Sequence, residues 1–122
     1  MRHSLERHCG DVAETKPTEL LDWLDIVMTL ETALRRALDA TMFNWSCYMN
    51  RVYRETSPDP HIHWWLVPRD NHSVKIGAMT FGDPRFGSPY DHTMRLDVPK
   101  EMRQQIAEQL RHGIAMQRRP TD

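Results

Sequence analysis

His61 and His63 stand two residues apart in the run Asp59-Pro60-His61-Ile62-His63-Trp64-Trp65-Leu66-Val67-Pro68-Arg69. Side chains alternate between faces along a strand, so His61, His63 and Trp65 are predicted on one face. Ile62, Trp64 and Leu66 then share the other. A neutral imidazole is a nucleophile near pH 7, and its protonated form is an acid. Two imidazoles on one face can divide those roles. One attacks phosphorus while the other donates hydrogen bonds to charge developing on the phosphate oxygens. The same spacing also suits zinc or another divalent ion, which needs further ligands. His8, His72, His92 and several carboxylates are available for that, and no spacing singles one out. Two incidental strand histidines are the plain structural alternative.

The remaining chain must position this face. Residues 17–39 carry the clearest helical pattern, with Pro17 at the first position and Leu20, Leu24, Val27, Leu34 and Leu38 in a stripe. That stripe reads as core or dimer interface. Residues 42–53 alternate, with Phe43, Trp45, Cys47 and Met49 against Asn44, Ser46, Tyr48 and Asn50, which predicts a half-buried strand. Asn50 would sit on its polar face, next to the histidine strand. Residues 55–60 form a loop short enough for the strands at 42–53 and 61–68 to pair antiparallel. Ser73–Phe81 reads as a further strand, and residues 82–93, rich in Gly and Pro, as a long loop. Residues 99–116 form a second helix, with Met102, Ile106, Leu110 and Ile114 spaced by four, and 117–122 a frayed tail. Leu5 with Cys9 suggests a short strand or its end, and Gly10 a turn. His8 beside Cys9 is a surface turn or a metal pair.

Composition narrows the function classes. The chain has 122 residues, 39% hydrophobic and 27% charged, enough for a single domain over residues 1–122. A net charge of -1 argues against general nucleic-acid binding. Two cysteines, Cys9 and Cys47, make no disulfide framework, and a reducing cytoplasmic setting is expected. The N-terminus has no apolar run of a secretory signal, and no window is apolar enough to span a membrane.

Pro60-His61-Ile62-His63-Trp64-Trp65-Leu66-Val67-Pro68-Arg69 resembles the signature of the histidine triad (HIT) family, in which histidines alternate with apolar residues and Pro-Arg often follows. The order of long helix, strand, loop and motif strand is also similar, and the resemblance covers most of residues 5–95. It implies an α+β fold with an antiparallel sheet, a long amphipathic helix and, here, a C-terminal helix. It implies a nucleotide-binding hydrolase or transferase that acts on a nucleoside monophosphate joined to a leaving group. The middle histidine attacks the α-phosphate and forms a covalent nucleotidyl-histidine. By position, His63 would be that nucleophile and His61 would orient it. His8 would be a supporting histidine, with Asn50 and Ser57 as phosphate or sugar contacts. The mechanism requires no metal or other cofactor, and the resemblance implies a nucleotide or nucleotide conjugate as partner and a homodimer.

Two departures stand out against that family. The third histidine position holds Trp65, whose indole has one N–H to donate and no proton to exchange. One branch, of the galactose-1-phosphate uridylyltransferase type, has Gln there and remains a transferase. Few residues precede His8, whereas the family has a helix and one or two strands there that line much of the nucleoside pocket. A binding or interaction protein on the same scaffold, with weakened turnover, is therefore the second expectation. A metal-dependent enzyme using His61 and His63 is the third.

Overall fold

Pro17 opens the longest element of the computed structural model, which describes residues 2–91 and 93–117. Helix α1 spans Pro17–Leu38. Its start is secured by the Glu19 carboxylate, which accepts from the backbone N–H of Lys16 at 2.8 Å. Arg35 and Arg36 fill the last turn, where cations suit the exposed carbonyls. Asp39, in the left-handed region at φ 54, ends the helix one residue before the expected boundary.

The described residues are mixed α+β, with two α-helices and two small antiparallel sheets. Strands β1 (Arg2–Ser4), β2 (Met42–Ser46) and β3 (His63–Arg69) form one sheet in the order β1-β3-β2. Arg2 faces Trp65 in its register, and Ser4 faces His63. Strands β4 (Val74–Ile76) and β5 (Met79–Phe81) form the other, with Val74 opposite Phe81. Helix α2 spans Lys100–Gln117. Among the described residues, no helix is long and apolar enough to cross a membrane.

The residues cluster in two compact units, one running to Met28 and resuming over Phe43–Val67, the other comprising Thr29–Met42 and the chain from Pro68. In the first unit, Ile62 and Leu66 are fully buried with Cys9. Burial of two such side chains is worth about 1.5–3 kcal/mol each. Trp64, on the same face of β3, meets Trp23 of α1 at 5.5 Å between ring centroids, and Trp45 of β2 meets Trp23 edge-on at 5.9 Å. The Trp23 indole N–H is buried without an acceptor among the described residues.

In the second unit, Ala33, Leu34, Ala40, Ile76 and Met102 are buried. Gly77 turns the β4–β5 hairpin at φ 57, and a Cβ there would come within 2.7 Å of Gln105 Oε1 and 3.0 Å of Met102 Cε. Gly113 lets α2 approach α1, since a Cβ there would lie 3.4 Å from the Ala33 carbonyl oxygen. Among the described residues of this core, Arg69 is the one buried charged side chain. It donates through Nε and Nη2 to both Asp83 carboxylate oxygens, through Nη1 to the Ser88 carbonyl at 3.0 Å and through Nη2 to the Arg85 carbonyl at 2.7 Å. The long Gly/Pro loop therefore folds around a buried guanidinium. That cation holds the Asp83 carboxyl below the usual carboxylate range, while burial pushes Asp70 up.

Several expected boundaries change. The strand expected over 42–53 ends at Ser46, and the chain turns at Asn50 into a short 3-10 turn over Val52–Arg54. The polar–apolar alternation continues past the last strand residue, so period two overstated the strand. The strand expected from His61 begins at His63, because the His61 ring is tied to another segment. Ser73–Phe81 is two short strands rather than one, because Gly77 supplies a reversal. Leu20 and Leu24, expected in a core or interface stripe, are exposed in this chain, whereas Leu34 is core. Of the tail expected at 117–122, Gln117 closes α2, and the rest lies with His92 outside the described residues.

Candidate functional site

The segment after β1 wraps around one imidazole. The backbone N–H of Cys9 donates to His61 Nδ1 at 3.4 Å, which places the ring proton on Nε2. Nε2–H in turn donates to the Leu5 carbonyl at 2.9 Å. Next along the chain, the Ile62 N–H donates to the Cys9 carbonyl at 2.8 Å. Gly10 permits this close wrap, since a Cβ there would meet Pro60 Cγ at 3.3 Å. His61 is thus held by backbone groups on both ring nitrogens, and its own carbonyl is fixed in place.

That carbonyl accepts a hydrogen bond from His63 Nδ1 at 3.0 Å. A proton on Nδ1 leaves Nε2 with its lone pair, the arrangement a nucleophilic imidazole requires. The first residue of β3 therefore carries a ring with its tautomer and orientation set by the residue two before it. Trp65, one pleat further along the same face, lies edge-on to His63 with ring centroids 6.2 Å apart. It is 42% exposed, whereas Trp64 on the opposite face is tucked against α1.

His8 stacks on His61, with centroids 5.3 Å apart and 28° between planes. Its Nε2 lies 3.1 Å from Asp59 Oδ1, and both side chains are well exposed. The backbone around His8 is pinned by Arg7. Arg7 Nε and Nη2 donate to the two Glu19 oxygens at 2.7 and 2.9 Å, and Nη2 also reaches the Glu14 carbonyl at 3.0 Å. The guanidinium, helped by the Lys16 amide, holds the Glu19 carboxyl down to about 2, and Glu19 raises Arg7 in return.

The structure thus brings His8, His61, His63 and Trp65 together. Asn50 and Ser57 are exposed in the connection between β2 and β3, and neither is hydrogen-bonded to these imidazoles. Asn50 lies in a turn beyond β2 and so not on the strand face expected for it. His72 belongs to the other unit, where it bonds to Asn71. Both His61 nitrogens are engaged, which leaves that ring no lone pair for a metal ion. Among the described residues, no group of three His, Cys, Asp or Glu side chains stands together as a ligand set.

The residues that sequence reasoning missed are mostly backbone groups. The Leu5 carbonyl and the Cys9 N–H set the His61 tautomer, and Arg7 with Glu19 fixes the segment that presents them. Only Gly10 hinted at the close approach. A groove of about 410 Å³ is lined by Leu5, Arg7, Glu19, Trp23 and Trp64, and by none of the three imidazoles. It opens on the Trp64 side of β3, away from His63. No protein-family model, curated protein or solved structure matches the chain.

Proposed function

We propose that the protein is a nucleotidyl hydrolase or transferase of the histidine triad type, with His63 as nucleophile. The observation that carries this reading is the 3.0 Å bond from His63 Nδ1 to the His61 carbonyl, which leaves Nε2 with its lone pair. The resemblance of residues 60–69 to the family signature supplies the substrate class, a nucleoside monophosphate joined to a leaving group. His63 Nε2 attacks the α-phosphorus, the leaving group departs, and water or another acceptor resolves the nucleotidyl-histidine. His61 orients His63 through its carbonyl, and His8 supports His61 by stacking. Asn50 and Ser57 are the candidate contacts to phosphate or sugar, reached through their exposed loop. No metal or other cofactor takes part in this scheme. The protein acts as a homodimer in the cytoplasm, a setting that suits its two free thiols.

A second reading is favoured by Trp65, whose large exposed ring stands in the position of the third histidine. On that reading the protein binds a nucleotide and turns it over poorly or not at all.

Trapping separates the two. The protein is incubated with AMP p-nitrophenyl ester carrying a label in its adenosine, quenched in alkali and tested for acid-labile label, since a phosphorus–nitrogen bond to imidazole survives base and not acid. The enzyme reading expects label on the wild type and none on His63→Ala. No label on the wild type, with label on Trp65→His, supports the binder.

A further inference from the structure

Chemistry at His63 needs somewhere for the leaving group's electrons to go. When Nε2 attacks, the nitrogen–phosphorus bond forms and the bond from phosphorus to the leaving atom breaks. The electron pair of the broken bond goes to that leaving atom. A general acid can supply a proton at this moment, a contribution of about 10²–10⁴ in rate. The imidazole that positions His63 offers none. His61 has Nε2–H committed to the Leu5 carbonyl and Nδ1 committed as acceptor of the Cys9 N–H. The His8 ring stacks on His61, and its Nε2 lies 3.1 Å from Asp59 Oδ1. Trp65 stands beside His63 on its own face, at 6.2 Å between ring centroids and open to solvent. An indole N–H donates a hydrogen bond but does not give up its proton.

We propose that Trp65 restricts the site to substrates whose leaving group departs as a stable anion. The class comprises phosphoanhydrides, acyl phosphates and esters of acidic phenols, and it excludes phosphoramidates and simple alkyl esters. This inference rests on the nucleotidyl-transfer reading above. An amine cannot leave phosphorus without first gaining a proton, so the phosphorus–nitrogen bond of a phosphoramidate has no partner here. A phosphate, carboxylate or acidic phenolate leaves with its electron pair and no proton, and the indole N–H can steady the new charge by a hydrogen bond. The imidazolium that remains on His63 keeps its Nδ1–H on the His61 carbonyl. Water then attacks phosphorus, the bond to Nε2 breaks with its electrons returning to nitrogen, and the water proton passes to solvent.

The test compares leaving groups on a constant nucleotide. A series of adenosine 5′-(aryl phosphate) esters, spanning several units of phenol pKa, is assayed for kcat/KM with the wild type, Trp65→His and Trp65→Phe, alongside adenosine 5′-phosphoramidate. The wild type is expected to lose roughly tenfold in kcat/KM for each unit of phenol pKa, since the full charge develops on the leaving oxygen. It is expected to cleave the phosphoramidate at least about 10²-fold more slowly than the ester of the most acidic phenol. Trp65→His flattens the dependence and gains phosphoramidate cleavage. Trp65→Phe, which has no proton to give either, keeps the steep dependence at a lower rate. A wild type with a flat dependence, or one that cleaves the phosphoramidate as fast as the acidic esters, overturns the inference while leaving the nucleophile assignment intact. No turnover of any ester by any of the three proteins, with no label trapped on His63, overturns the underlying reading and this inference with it.

Discussion

Arg7 and Glu19 join through two parallel hydrogen bonds, Nε to Oε1 at 2.7 Å and Nη2 to Oε2 at 2.9 Å. The same carboxylate also closes the first turn of α1 through the Lys16 amide. One side chain thus starts the helix and anchors the segment whose Leu5 carbonyl and Cys9 amide hold His61. The fork geometry is the strong form of this contact.

The acid side of the stability curve follows from that pair. Glu19 is held at about 2 in the folded chain against 4.5 when unpaired, first by the Arg7 hydrogen bond and then by the Lys16 amide. A depressed carboxyl stabilises the fold fully above its unfolded value and loses that contribution as pH falls toward its folded value. Thermal melts of the wild type and Glu19→Gln between pH 7 and pH 2 test this. The wild type is expected to melt higher at pH 7, and the gap is expected to close between about pH 4.5 and 2. A gap unchanged across that window would show that Glu19 acts as a neutral helix residue.

Arg69 makes a different demand on the second unit. Its guanidinium is nearly inaccessible, with a side chain 4% exposed, and Asp83 is the only carboxylate it bonds to among the described residues. Removing one partner of a buried pair leaves the other charge unpaired, at a cost of about 3–5 kcal/mol. Asp83→Ala is therefore expected to lower urea-unfolding stability by about that much. Arg69→Met combined with Asp83→Leu is expected to cost less than Asp83→Ala alone, because no charge stays buried. A double substitution as damaging as the single one would show that the carbonyl contacts to Ser88 and Arg85, rather than charge pairing, carry the stability.

Much of this architecture was legible in local chemistry. Pro17 and Pro99 marked both helix starts to within a residue, and the apolar spacing of α1 and α2 gave the helices themselves. The alternation of Ile62, Trp64 and Leu66 gave the buried face of β3. Other features depend on contacts distant in sequence. His61 reads as a strand residue until the Leu5 carbonyl, 56 positions away, accepts its proton. Tyr48 and Asn50 continue a period-two pattern that no neighbouring strand sustains, so the chain turns there. At the site, the pairing of His63 with Trp65 followed from the pleat. The tautomer of His63 did not, because a backbone carbonyl sets it and every residue has one.

The apolar face of α1 leads to the last expectation. Leu20, Leu21, Leu24 and Met28 are each more than 40% exposed and fall within about 100° of arc, since successive residues turn by that angle. A face of this kind in a homodimer meets its own copy across a two-fold axis, so each side chain is buried twice. Sedimentation equilibrium is expected to show a wild-type dimer and a Leu21→Glu, Leu24→Glu monomer. Burial of one leucine is worth about 1.5–3 kcal/mol, and two leucines on each of two protomers place four in the contact. The loss of even half that burial weakens association by about 10²-fold or more, enough to move a micromolar dimer to monomer at working concentration. Circular dichroism of the variant is expected to keep the wild-type helical content, since both leucines are exposed within the single chain. A wild type that sediments as a monomer at the highest soluble concentration would remove the homodimer from the proposed function, while His63 and its carbonyl partner, both within one chain, would stay as they are.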